Sequence, residues 1–244
     1  MKSGFKFISE LVAKIINTFF PRLSIVVQPS RGQGIKIFHG DKAARARSKI
    51  WTTDSHYAPN MYIDIDGLAN LLLNEAASTF DKDDRILDIC CNVGRHINYL
   101  TVNGFKNVHG FDIMKPAIDQ MNAQFPSIDT SKIKHGDCID ILPSYGANSF
   151  DWAYTHTATI ELIHPSFDLY NHLKRILVKG FIFLLDENGH TYPRFYTFLS
   201  RKSSFKLYKR IVLSDSMSLC VWIKENYFKE FIQKSLSCNS NNVS

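Results

Sequence analysis

ILDICCNVGRHIN, residues 86–98, opens as a strand and closes as a helix, with an acid, two cysteines and a single glycine at the joint. ILDI is a short apolar run that suits a strand buried on both faces, and RHINYL continues with helical periodicity. In a doubly wound sheet, the crevice beyond such a strand end is where a ligand sits. The loop must then let backbone approach that ligand, which favours glycine and small residues. Asn92 takes positive φ at lower cost than most residues, Gly94 supplies a close contact, and Cys90 and Cys91 are small. The dinucleotide pattern GxGxxG is absent, so little is provided for a pyrophosphate on the helix N-terminus and a ligand without phosphates is favoured.

Outward from this joint the chain alternates. GLANLLLNEAAST reads as a helix, RILDIC as a strand, NVHGFDI as a strand and KPAIDQMNAQF as a helix with Pro116 in its first turn. SKIKHGDC holds a short strand, SFDWAYT a strand, SFDLYNHLKRIL a helix and GFIFLLDE an apolar strand. This order predicts an α/β, Rossmann-like doubly wound sheet, mostly parallel, with helices on both faces. FKLYKRIVL and SLCVWIK, joined by the polar turn SDSM, leave no room for a helix and predict a closing antiparallel hairpin. The expected organisation is a basic arm over 1–50, one domain over 51–234 and a frayed tail over 235–244.

Each successive strand end carries an acid: Asp88, Asp112 and Asp137, about one βα unit apart. An acid at the second position can accept both hydroxyls of a ribose, and one at the third can accept an adenine amino proton. A lone Asp at a strand end is usually a turn or helix cap. Three in phase with three strands favour a shared ligand.

At this point the sequence resembles the class I S-adenosylmethionine-dependent methyltransferases, from about Arg85 to Glu187. ILDICCNVGRHINYL is similar to the first family motif, an acid followed by GCGxGR, with Cys90 and Asn92 in the places of its first two glycines. VHGFDIMKPAI, HGDC, NSFDWAYTHTATIELIHP and LKRILVKGFIFLLDEN resemble the second to fifth motifs, and the closing hairpin corresponds to the sixth and seventh strands. The resemblance implies S-adenosyl-L-methionine as cofactor. It implies Asp88, Cys91, Asn92 and Gly94 along its methionine and ribose, Asp112 with Ile113 at the ribose, Asp137 and Cys138 at the adenine, and Thr155 nearby. More narrowly, CNVGR with DENGHTYPRFY resembles bacterial small-molecule methyltransferases of surface-polysaccharide functions, which implies a sugar or glycan-precursor hydroxyl as acceptor.

A sulfonium methyl is already activated, so alignment and exclusion of water are the main tasks, with a base where the nucleophile needs one. His156, Glu161 and His190 are the candidates, and His164 before Pro165 reads as structural. By the same resemblance the N-terminal region closes over the site, which gives Trp51, His56 and Tyr57 a substrate role. A surface loop packed by its own aromatics is the other use of that segment. Arg194 in YPRFY suits an anionic or sugar pocket, or simple helix packing.

The formal charge of +6 is unevenly spread, because residues 1–50 hold ten Lys/Arg against two acids, leaving the remainder slightly acidic. Such an arm suits anionic lipid, nucleic acid or a phosphorylated substrate. Within it, FKFISELVAKIINTFF puts Phe5, Ile8, Val12, Ile15, Ile16 and Phe19 on one helical face, with Lys6, Glu10 and Asn17 opposite. Charge interrupts the run too often for a span or a secretory signal. A helix docked on the domain and a peripheral membrane or partner helix both remain open, as does a targeting segment. The five scattered cysteines match no zinc spacing and suit a reducing, cytoplasmic setting without a structural metal. A nucleic-acid methyltransferase is encouraged by the arm, but THTA stands where NPPY or DPPY would, which makes nucleic acid an improbable substrate. A non-enzymatic binding module is the remaining alternative.

Overall fold

A computed structural model describes residues 2–21, 25–28, 33–37, 52, 58–156, 159–188 and 191–240. In chain order its elements begin with α1 (Lys2–Phe19), β1 (Ile25–Gln28), β2 (Gln33–Ile37) and a 3-10 turn at Pro59–Tyr62. Next come α2 (Gly67–Thr79), β3 (Arg85–Ile89), α3 (Arg95–Val102), β4 (Asn107–Asp112), α4 (Lys115–Gln124), β5 (Ile133–His135) and α5 (Cys138–Ser144). The chain closes with β6 (Phe150–Thr155), α6 (Leu169–Ile176), β7 (Leu177–Asp186), α7 (Tyr196–Lys202), β8 (Phe205–Val212), β9 (Met217–Lys224) and α8 (Phe228–Ser240).

Seven strands form one sheet in the order β5-β4-β3-β6-β7-β9-β8. The pairs from β5 to β7 are parallel, and β9 is antiparallel to both β7 and β8. The predicted α/β doubly wound sheet with a closing hairpin is therefore present, and β9 is the strand inserted beside β7. β1 and β2 form a separate antiparallel pair.

Strand alternation sends side chains to two cores. Leu87, Ile89, Ala153 and Phe181 face α5, α6 and α7, whereas Ile86, Trp152, Tyr154 and Ile182 face α2, α3 and α8. The central strands are buried on both faces, so they read as continuous apolar runs. β5 and β8 are the edges, and Lys206, Lys209 and Arg210 keep β8 from pairing with another chain. Gly180 of β7 sits so close to β9 that an added Cβ would lie 2.1 Å from the Trp222 carbonyl oxygen. Helix starts follow from the sequence: Asp66, Asp137 and Asp168 each accept a backbone N–H at the N-cap of α2, α5 and α6.

The segment from 235, expected to fray, is helical to Ser240, because Phe231 packs α8 on Trp152 and Tyr208. α1 docks on the domain mainly by the face opposite to its apolar stripe, and Phe19 at the end of the stripe tilts against Phe198 with ring centroids 5.4 Å apart. Ala13, Asn17 and Thr18 are buried, Asn17 Nδ2 donates to the Pro193 carbonyl at 3.2 Å, and the Phe195 N–H donates to Thr18 Oγ1 at 3.1 Å.

Candidate active site

The parallel strands deliver their carboxyl ends to one edge of the sheet, and a cleft of about 1010 Å³, counting its open mouth, lies there. Its walls come from four places. The turn after β3 gives Cys90, Cys91 and Asn92, and the start of α3 adds Arg95 and His96. The end of β4 contributes Asp112, Ile113 and Met114, and the β5–α5 junction contributes Gly136, Asp137 and Cys138. The segment after β6 adds His156, Thr159, Leu162 and Ile163. Asp88 and Tyr62 complete it, so the three strand-end carboxylates share one cleft.

The turn holds its shape through alternate left-handed residues: Cys90 at φ 61°, Asn92 at 47° and Gly94 at 83°. Asn92 does what the sequence suggests. Cys90 is an L-residue held in a glycine-like conformation, at a cost of about 1–2 kcal/mol. Gly94 is confined from behind, since an added Cβ would lie 2.7 Å from Ile128 Cδ1. It is therefore a packing glycine rather than a cleft wall.

Asp112 is fixed by the turn it serves: the Asn92 N–H donates to Oδ2 at 2.8 Å and the Met114 N–H to Oδ1 at 2.7 Å. Each carboxylate oxygen keeps a further lone pair for a ligand hydroxyl. Burial raises its pKa against those N–H donors. Asp88 is pushed up to about 8 by burial, with the Asp112 charge adding to the rise and the Tyr154 hydroxyl and Arg95 opposing it. The Tyr154 hydroxyl donates to Asp88 Oδ2 at 3.0 Å. Asp137 does two jobs, capping α5 through the Ile139 N–H at 3.2 Å and lining the cleft.

Arg95 and His96 were not assigned a site role from sequence, although both stand in the opening motif. Arg95 Nε donates to His96 Nε2 at 3.2 Å, which assigns the His96 proton to Nδ1, 4.0 Å from Asp88 Oδ2. The other Arg95 nitrogens reach the Asp64 carbonyl and Asp66 Oδ2. Burial, with Arg95 and His156 adding, drives His96 down to about 3, so it is neutral at physiological pH. The His156 ring lies 5.6 Å from the His96 ring, with Nε2 3.8 Å from Asp66 Oδ1. Among the described residues the cleft thus carries three carboxylates, and Arg95, which lines it, is committed to protein partners. A cationic, hydroxyl-bearing ligand suits that balance and a diphosphate does not.

Of the other residues singled out in the sequence, several lie elsewhere. Thr155 is fully buried and donates to the Ile89 carbonyl at 2.9 Å, tying β6 to β3. Glu161 is fully buried and does not line the cleft, for its Oε1 accepts the Asp186 N–H at 2.7 Å. Arg194 is buried away from the cleft with its guanidinium 5.9 Å from the Tyr196 ring. His164 bonds Ser166, as a structural histidine would. Trp51, His56, Tyr57 and His190 lie outside the described residues. Among the described residues no group of three or more His, Cys, Asp or Glu is placed to hold a metal.

Residues 86–180, which span the strands that build the cleft, match the family model of a methyltransferase domain. No curated protein matches the sequence. Among solved structures, the chain is similar to a TehB-like SAM-dependent methyltransferase from Corynebacterium glutamicum at 16% identity, covering 74% of this chain and 98% of that one, with a TM-score of 0.51. It is similar to an S-adenosylmethionine-dependent methyltransferase from Mesorhizobium loti at 15% identity, covering 66% and 99%, with a TM-score of 0.51. The [4+2]-cyclase SpnF is similar at 16% identity, covering 61% of each chain, with a TM-score of 0.50. The fold is that of the class I methyltransferases, and the cyclase is a reminder that reaction follows from the site rather than the fold.

Proposed function

We propose that this chain, whose residues 86–180 match a methyltransferase-domain model, is an S-adenosyl-L-methionine-dependent methyltransferase acting on a hydroxyl of a small molecule, a sugar or surface-glycan precursor. The observation that carries the cofactor is the convergence of Asp88, Asp112 and Asp137 on one cleft whose lining Arg95 is committed to protein partners. Asp112, oriented by two N–H donors, takes the ribose hydroxyls. Asp137 and Cys138 border the adenine, with Ile113 beside them. Asp88, Cys91 and Asn92 face the methionine portion, where a buried carboxyl meets cationic groups.

When bound, the cofactor would supply an electrophilic methyl on a sulfonium, for transfer to an acceptor oxygen with the neutral thioether as leaving group. The protein's share is alignment and exclusion of water. His156 lines the cleft beside Asp66 and is the group to take the acceptor's proton. His96 lies beside it and stays neutral, bonded to Arg95. Glu161 acts at one remove, holding the 159–163 wall to the end of β7. The proposed setting is the cytoplasm.

Calorimetric titration with S-adenosylmethionine tests the cofactor. Micromolar binding by the wild type, lost in Asp112→Ala, is the expected result, and a wild type that does not bind refutes the reading. Transfer of a labelled methyl to a panel of nucleotide sugars and glycan fragments, absent in His156→Ala with binding intact, tests the acceptor and the base. Transfer confined to nucleic acid would overturn the sugar assignment.

A further inference from the structure

We infer that α1 seats the protein on an anionic lipid surface beside the mouth of the cleft. Ordinarily an amphipathic helix buries its apolar stripe on its own domain. Here the helix is the other way round. Ala13 and Asn17 are fully buried and Thr18 nearly so, with two hydrogen bonds to 193–195. Val12, Ile15 and Phe19 stand 40–52% exposed on the side away from those bonds, with Leu11 and Phe20 exposed at its margins, and Phe19 tilts against the exposed Phe198 of α7 with ring centroids 5.4 Å apart. An exposed apolar patch that runs along this outward helix face and on to Phe198 has no solvent rationale.

Charge names the occupant. Residues 1–50 carry ten Lys/Arg against Glu10 and Asp41, so the arm that contains the stripe is strongly cationic while the rest of the chain is slightly acidic. An apolar face within a basic arm is the pattern of a helix lying in the headgroup region of an anionic bilayer. A second copy of this chain would bring the same positive charge to the contact and be repelled. Among the described residues no helix is long and apolar enough to cross a membrane, so the contact is superficial.

The seat is also placed with respect to the chemistry. The segment that receives α1 follows β7 at the sheet edge where the cleft opens. The Tyr192 N–H donates to the Glu161 carbonyl at 3.1 Å, and Glu161 lies between the cleft residues Thr159 and Leu162. α1 is thereby tied to the cleft wall through two short links, and a surface bound by α1 lies next to the mouth.

The test is co-sedimentation of the full chain with phosphatidylcholine vesicles, with and without phosphatidylglycerol. The wild type should pellet with the anionic vesicles, stay in solution with the neutral ones, and be released by high salt. Val12→Asp/Ile15→Asp should lower the anionic partition at least about tenfold, since charge in the apolar layer costs more than about 1.4 kcal/mol. A wild type that stays in the supernatant overturns the inference, and so does a double variant that pellets equally. A wild-type dimer in sedimentation velocity that Ile15→Asp dissociates overturns it in favour of self-association. If the Asp pair lowers the melting temperature, Val12→Gln/Ile15→Gln is read in its place. S-adenosylmethionine binding, measured in parallel, should be the same in all variants, and its failure would strike the proposed activity while leaving the vesicle result intact.

Discussion

Cofactor binding should expel a proton from Asp88. Burial, the Asp112 charge and the opposing Tyr154 hydroxyl leave its pKa at about 8, so at pH 7 the carboxyl is about 0.9 protonated. A sulfonium and an ammonium arriving in the same cleft favour the charged form and eject that proton. Apparent affinity should then rise about tenfold per pH unit up to pH 8 and level off above it. Titration calorimetry at pH 7 in two buffers of different ionisation enthalpy counts the proton directly. About 0.9 should be released at pH 7 and about 0.1 at pH 9, and Asp88→Asn should remove this release. Equal release by wild type and Asp88→Asn would refute the reasoning. The ligand-free protein supplies the check on sign. A carboxyl whose pKa is raised by folding stabilises the fold fully below its ordinary value of 3.8, and that stability is lost as pH climbs to about 8. The melting temperature without ligand should therefore fall between pH 4 and 8, with a shallower fall in Asp88→Asn. Stabilisation by the cofactor should be larger at pH 9 than at pH 6.

Asp112→Ala takes the acceptor from two buried N–H groups, which should cost about 2–4 kcal/mol of stability and be visible in urea unfolding alongside the lost cofactor binding. Asp112→Asn, which keeps one oxygen, should fall between. Cys90→Gly releases a left-handed L-residue but adds glycine's unfolded-state entropy, a net gain of about 0.5–1 kcal/mol; differential scanning calorimetry should show a small rise in melting temperature with cofactor affinity kept or improved. Gly180→Ala places a Cβ 2.1 Å from the Trp222 carbonyl and should cost about 3 kcal/mol, read as a lowered urea midpoint.

The sheet was legible because its signal is local and repeated. Apolar runs such as GFIFLLDE and SFDWAYT can only be strands buried on both faces, and the absence of a helix between the last two predicts the hairpin. The acids were legible for the same reason: each stands at the end of a strand. Contacts between distant segments were not. Nothing local tells that Arg95 meets Asp66, which comes from a capping position 29 residues earlier. Glu161 looks like a base in THTATIELIHP, and only the β6–β7 crossing reveals that it holds the Asp186 N–H. Periodicity finds the apolar face of α1 but not which way it points, because Asn17 and Thr18 find carbonyl and N–H partners 176 and 177 residues away. Short α5 and α7, seven residues each, are too brief for a period to register.

The alternation of left-handed residues at 90, 92 and 94 bears on how relatives of this chain are to be found. Three dihedral angles, and not three letters, define the turn, and here only one of the three is written as glycine. A search keyed to spelling discards such a chain, while one keyed to backbone shape and to the acid facing the turn retains it. Drift from glycine to asparagine or cysteine at these places is a change of wording over an unchanged grammar, and lost glycines alone are poor grounds for declaring such an enzyme dead.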